Sequence, residues 1–307
     1  MNPAFSVVFF TTLIGAAQGL VVVLAVLTLT GADPGAAFAS RSLVVAECLL
    51  MAGLAASFGH LGRPERAWRA AMMWRTSWLS REVIALPAFI VAVGAWWLMQ
   101  RRGNASLVLP WANLILAFVL WHCTAMIYAC LKFIKEWAHP LTPINFALIG
   151  LSSGLLLACT LAALTGSDAV LATTAPAALL VTLAAGAARV AALRRNAILE
   201  PGSTLQSATG ILSPVLRQTS MGMSAGAFNT REFFHRTSET AVRNIRLAAV
   251  VMGFLLPAIL VAAAWWLGLT VLYPLAFAVH GPGLVAERWL FFAQARHPQN
   301  LYYQVVS

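Results

Sequence analysis

Charge is the scarcest thing in this 307-residue chain: only 10% of its residues are Asp, Glu, Lys or Arg, against about 25% in an ordinary soluble domain. That is too little to cover a water-facing surface, which excludes a soluble globular protein. Polar low-complexity stretches are missing as well, which excludes a disordered one. Lysine is nearly absent, with Lys132 and Lys135 standing beside eighteen arginines. The four cysteines, Cys48, Cys123, Cys130 and Cys159, form no CxxC pair, so an iron–sulfur cluster held by this chain is not expected. All four sit in apolar runs and read as small buried hydrophobes. No Lys or Arg precedes Arg41. A cleaved signal peptide needs a basic start, so the first apolar segment is expected to be kept.

What is present in excess is apolar residue, 60% of the chain. A bilayer crossing takes about 20 such residues, and eight runs qualify: about 4–30, 40–60, 80–100, 108–132, 142–164, 169–192, 244–267 and 270–292. The break between the last two rests on Gly268 and Thr270 alone. The expected fold is therefore an all-α polytopic membrane protein, a single integral membrane domain over 1–307, with eight transmembrane helices in the lipid bilayer. An even count puts both termini on one side. That side collects 17 of the 20 basic residues, and only Arg41, Arg101 and Arg102 fall opposite, so it is expected to be cytoplasmic. The same rule accounts for the net charge of +10, and no nucleic-acid partner is expected. One connection is out of scale, at about 193–243. A long loop of mixed Gly, Ser, Thr, Asn and apolar residues reads as a cytoplasmic docking segment.

Ionisable residues at the edge of a span are costly and mark candidate sites. The densest cluster is SFGHLGRPERAWRAAMMWRTSWLSREV, between the second and third spans. His60 closes one span. Pro64 suits the first turn of a short helix, on which Arg63, Arg66 and Arg69 share a face, with Trp68 and Trp74 among the apolar residues of an interfacial segment. Ser80 is placed to cap the third span, and Glu82 lies in its first turn. His60 and Glu82 thus meet at one depth. A quinone site needs this chemistry: a donor to a carbonyl that titrates near neutrality, and a carboxylate that relays the proton. A structural His–Glu or Arg–Glu contact fits the same spacing. His122 and His280 fall near the middle of their spans, where a pair of histidines can ligate haem b; buried histidines satisfied by neighbours fit equally. Gln18, inside the first span, faces a ligand or joins helices. Glu47 is expected to snorkel or to pair with Arg41.

The stretch FGHLGRPERAWRAAMMWRTSWLSREV, with its HLG-x-P-x-RA core and following LS-x-E, resembles the membrane-anchor subunits of dimethyl sulfoxide reductase-type complexes. LKFIKEWAHPLTPINFALIGLSSG, RRNAILEPGSTLQSATGI, GAFNTREFFHR and ERWLFFAQARHPQNLYY resemble the branch of that family serving sulfite dehydrogenases. The resemblance spans essentially the whole chain, and the long loop between spans six and seven departs from the dimethyl sulfoxide reductase anchors. It implies eight helices without haem in a bacterial inner membrane, and two soluble partners. One is a ferredoxin-like subunit with [4Fe–4S] clusters and the other a molybdopterin catalytic subunit. It implies electron exchange with ubiquinone or menaquinone, a quinone site with His60 and Glu82 at its centre, and no substrate-oxidising site in this chain. An anchor for a dimethyl sulfoxide or other oxyanion reductase, a haem b cytochrome subunit and a secondary transporter are the competing readings. Against the transporter, no internal repeat or matched pair of broken spans is present.

The charge distribution makes a topological prediction. Reporter fusions at Gly103 and Ser167 are expected to read periplasmic, and those at Arg75, Ala138 and Thr219 cytoplasmic. The opposite pattern overturns the orientation.

Overall fold

A computed structural model describes residues 1–59, 61–103, 106–220 and 229–302. His60 lies outside the described residues. The long helices are α1 (Phe5–Leu29), α2 (Ala36–Phe58), α3 (Trp78–Arg101), α4 (Val108–Ala129), α5 (Leu141–Thr165), α6 (Asp168–Ala197), α7 (Glu239–Leu267) and α8 (Leu272–Ala293). The first seven are long and apolar enough to cross a membrane. α8 is of crossing length at 22 residues but carries His280, Glu287 and Arg288, and it is not among those seven. The protein is thus an all-α polytopic membrane protein. α7 and α8 are separate helices: Gly268 ends α7 at φ +69°, a left-handed cap that glycine adopts without a Cβ penalty.

The helix ends differ from the apolar runs where the chain turns polar. α6 continues to Ala197, with Arg194 and Arg195 in its last turn, where cations suit the helix dipole. α7 starts at Glu239, capped by Ser238, whose Oγ accepts the Ala241 N–H at 3.3 Å. The intervening connection is therefore shorter than the apolar pattern suggests. Among its described residues, only Leu205–Thr209 and Asn229–Glu232 are helical. An apolar run reports only the part of a helix that needs lipid, and these polar turns lie beyond it.

α1 and α5 form the centre. α1 packs on α2, α4, α5 and α8, and α5 on α1, α4, α6 and α8. In lipid, helices gain nothing from hiding apolar surface from one another; close packing and interhelical hydrogen bonds hold them together. The tightest crossing uses glycine. A Cβ on Gly154 would overlap the backbone of Gly19 and Leu20, and one on Gly19 would overlap Gly150. Polar side chains supply the second bond type. Gln18 Nε2 donates to Ala117 O at 3.2 Å, Asn113 Nδ2 to Ala92 O at 3.0 Å, and Thr160 Oγ1 to Tyr273 O at 3.2 Å, while Ser152 and Thr182 hydroxyls meet at 2.7 Å. Each link contributes about 1 kcal/mol in this setting.

Two expectations are overturned. Only Cys123 and Cys159 are buried, while Cys48 and Cys130 are exposed; Cys130 lies just beyond the last turn of α4, at its end. Of the two expectations for Glu47, the ion pair with Arg41 is the one overturned: no such pair is present among the described residues, and Glu47 Oε2 has no hydrogen-bond partner there.

The glycine crossing predicts that Gly154→Ala, which forces α1 and α5 apart, destabilises the protein by about 1–3 kcal/mol, the usual cost of overpacking. Thermal unfolding in detergent measures it; an unchanged midpoint contradicts the crossing.

Candidate functional site

The head of α3 is built by the loop that enters it. Residues Pro64–Ala71 form a 3₁₀ helix, in which residues three apart eclipse, so Arg66 and Arg69 share a face, while Arg63 precedes the helix in a non-helical conformation. Arg63 and Arg66 are exposed, and Arg66 Nε lies 3.9 Å from Glu65, a loose surface pair of little worth. Trp68, Met72, Met73 and Trp74 are also more than half exposed. Apolar aromatics beside arginines are what an interfacial segment presents to headgroups. Arg81 fastens the end of this loop. Its Nε donates to Trp74 O at 2.9 Å, its Nη2 to Arg75 O at 2.8 Å, and its guanidinium lies 4.1 Å from the centre of the Trp78 ring. The helix cap is Ser77, whose Oγ accepts the Ser80 N–H at 3.3 Å. Ser80 is therefore not the cap; it is buried one position before Arg81.

Glu82 turns inward and is 5% exposed. Thr124, on α4, donates its hydroxyl to Glu82 Oε1. Nearby, α3 and α4 bound an apolar groove of about 650 Å³, lined by Trp74, Trp78, Arg81, Ile84, His122 and Cys123 among others. His122 is seven residues from the last residue of α4, not at mid-span, so it shares the Glu82 end of the bundle. It is exposed, with its ring edge-on to Trp78 at 5.2 Å. Gln18 is buried and joins α1 to α4 as described above.

His280 is fully buried between α5, α7 and α8. Its Nδ1 lies 2.6 Å from Gly253 O, and its Nε2 lies 3.0 Å from Ser153 Oγ. The Gly253 carbonyl belongs to the π-helical turn Val251–Leu255 within α7. Both ring nitrogens are engaged, and His122 is exposed in the groove between α3 and α4, so the structure does not bring these two histidines together as an axial pair. Sequence reasoning missed a second polar cluster. Glu287 on α8 lies between Arg189 Nε of α6, at 2.8 Å, and Arg288 Nε, at 2.9 Å, and all three side chains are under 5% exposed. Arg288 also stacks on Phe146 at 4.2 Å. The available signal was a Glu–Arg pair followed by apolar residues; a carboxylate within a span needs a partner.

Two comparisons with known proteins bear on these arrangements. The family model described as DMSO reductase anchor subunit (DmsC) matches residues 1–292. The chain belongs to the DMSO reductase anchor subunit family. It is also 44% identical over 327 aligned positions to a subunit of the sulfite dehydrogenase of Allochromatium vinosum, with the whole of both chains covered.

In this anchor the connection from α6 to α7 is fastened at its base to its own chain. Lys135 Nζ donates to Glu200 O at 3.1 Å, Tyr302 Oη to Ala208 O at 3.0 Å, and the Phe233 and His297 rings stack at 4.1 Å. Further out, Ile211, Leu212 and Val215 are exposed, Leu212 to 92%. Three histidines hold local turns at this end: the Nδ1 atoms of His139, His235 and His297 accept the N–H two residues on, from Leu141, Thr237 and Gln299. Burial holds all three below the ordinary histidine value, helped by Arg195 at His139 and by the amino terminus at His235.

Protonating Nδ1 removes the acceptor. Because the folded values are depressed, the unfolded turn binds more protons. Its stability is complete above about pH 6.5 and is lost as the pH falls through and below that value. Amide protection at Leu141, Thr237 and Gln299, corrected for intrinsic exchange, is expected to drop on acidification. Protection that holds at acid pH contradicts these turns.

Proposed function

We propose that this chain is the membrane anchor and quinone-reactive subunit of an oxidoreductase complex in a bacterial inner membrane. Its soluble partners are a ferredoxin-like subunit with [4Fe–4S] clusters and a molybdopterin catalytic subunit that oxidises sulfite. The whole-length likeness to a sulfite dehydrogenase subunit favours sulfite over dimethyl sulfoxide or another oxyanion. The partner's half-reaction converts sulfite and water to sulfate, two protons and two electrons. On this reading the chain crosses the membrane eight times with both termini in the cytoplasm. The α6–α7 connection and its exposed Ile211–Val215 stretch receive the iron–sulfur subunit.

The carrying observation is the buried Glu82–Thr124 pair, whose chain neighbours Arg81 and Cys123 line an apolar groove at the head of α3. These residues fit a quinone: the groove offers apolar walls for a ring and its tail, and the chain around it offers cations and a carboxylate. A bound quinone supplies an acceptor of two electrons and two protons. His60 donates a hydrogen bond to a carbonyl oxygen. Thr124 bonds Glu82 Oε1 and orients the carboxylate that holds and passes the proton. Ser80 packs beside them, Arg63 and Arg66 bias the local potential, and Arg81 keeps the loop closed over the site. Placement at this edge keeps the electron path from docked clusters short. Because the groove contains His122, a site centred on that residue is the second reading; Gln18 and His280 lie deeper and serve packing and proton handling.

In the intact complex, His60→Ala is expected to abolish quinone-coupled turnover while activity with a soluble artificial acceptor persists. Glu82→Gln is expected to slow turnover by about 10²-fold and to change its pH dependence, as loss of a positioned proton carrier does. Full quinone activity in both variants, with loss in His122→Ala, recentres the site on His122. Loss with both acceptors marks His60 as structural.

A further inference from the structure

Between Glu82 and the aqueous edge lie polar groups that quinone binding itself does not use. An inner cavity of about 20 Å³ is enclosed by α1, α4, α5 and α8, and its wall includes Gln18, Trp121, Thr124, Ser153, Phe146 and Arg288. Trp121 Nε1 is buried there without a hydrogen-bond partner among the described residues. An outer cavity of about 10 Å³ lies between the α4–α5 connection, α6 and α8, walled by Glu136, His139, Asn145 and Arg189 among others. Asn145 Oδ1 and Arg189 Nη2 are likewise buried and unpartnered among the described residues. Phe146 and Arg288 belong to both walls, so the stacked Arg288–Phe146 pair is the partition between the cavities. Glu136 and His139 are half-buried and open the outer cavity to the surface. Buried polar atoms take water where protein offers no partner, and a cavity of roughly 10–15 Å³ is the smallest that admits one.

We propose that these two cavities each hold water and, with Thr124, form the proton route between the edge at Glu136 and His139 and the Glu82 carboxylate, with the Arg288–Phe146 stack as its gate and Thr124 as the positioning residue. The route rests on the reading of Glu82 as the proton carrier. An inbound proton passes from the outer water, held by Asn145, across the gate to the inner water, held by Trp121 and Ser153. Thr124 Oγ1 then accepts that proton and releases its own to Glu82 Oε1, so the hydroxyl is unchanged and one positive charge has moved. Arg189 and Arg288 outnumber Glu287, so the gate is net cationic. An excess proton is repelled there and comes to rest on the carboxylate beyond. Among the described residues, Thr124, Cys123 and Tyr128 on α4 face Glu82; Arg81 acts on Cys123 and Arg288 on Tyr128 in turn.

The test uses the whole complex in lipid nanodiscs and the infrared carboxyl band of Glu82, identified by its loss in Glu82→Gln. After a pH jump, Thr124→Val is expected to slow the response of that band about 10²-fold, the lower end of what a positioned proton carrier contributes. Thr124→Ser is expected to restore it, and Asn145→Leu to slow it in the same direction. Only variants that co-purify with both soluble subunits are compared. A wild-type response in Thr124→Val, or slowing that Thr124→Ser does not relieve, overturns the route. So does a wild-type response in Asn145→Leu, because the outer cavity is then bypassed. The band is read without turnover, so failure of the quinone assignment, seen as full quinone activity in Glu82→Gln, is distinguishable from failure of the route.

Discussion

The architecture depends on the backbone contact between α1 and α5. With no water in the bilayer to displace, a helix bundle is held by how closely its backbones approach and by the polar bonds made at that distance. Gly19, Gly150 and Gly154 let these two helices meet without side chains between them, and every other long helix except α3 and α7 packs directly on α1, or on α5. The same contact sets the inner polar wall. Gln18 adjoins Gly19 on α1, and Ser153 adjoins Gly154 on α5, so the residues that bring the helices together also place their polar neighbours beside Thr124 and Arg288.

Charge is distributed in the interior with corresponding economy. The buried ions collect on the side of the bundle where α3 begins and where α6 and α8 end. Glu82 is matched by a hydroxyl, and Glu287 is matched by two guanidinium groups. A lone buried charge is costly, and removing one partner of a buried pair costs about 3–5 kcal/mol. The arginine excess over Glu287 is offset by the face of Phe146, an electron-rich surface for Arg288.

Much of this was legible in the sequence. The apolar runs mark every long helix, the Gly268 break included, and the cluster around Glu82 stands out as polar residues at a span edge. The unreadable part is pairwise. Thr124 is one of many threonines in apolar helices, and nothing in its local sequence says that α4 lies against Glu82. Arg189 and Arg288 read as flanking charges under a rule that counts arginines by proximity to span ends. Only the packing of α6 on α7, and of α8 beside them, turns those two into partners of Glu287 inside the fold. Ser80 was misread for a smaller reason: the helix starts two residues earlier than the apolar pattern does, so the cap falls to Ser77.

α8 differs from the other long helices in what holds it in place. A segment carrying His280, Glu287 and Arg288 gains less from lipid than the seven before it, and its favourable contacts are with helices synthesised earlier. Arg189 waits on α6, the Ser153 hydroxyl on α5 and the Gly253 carbonyl on α7. Seven segments are thus apolar enough to cross a bilayer on their own merit, whereas α8 is held by polar contacts with the helices before it. The place of α8 in the bundle therefore depends on residues of three helices that precede it in the chain.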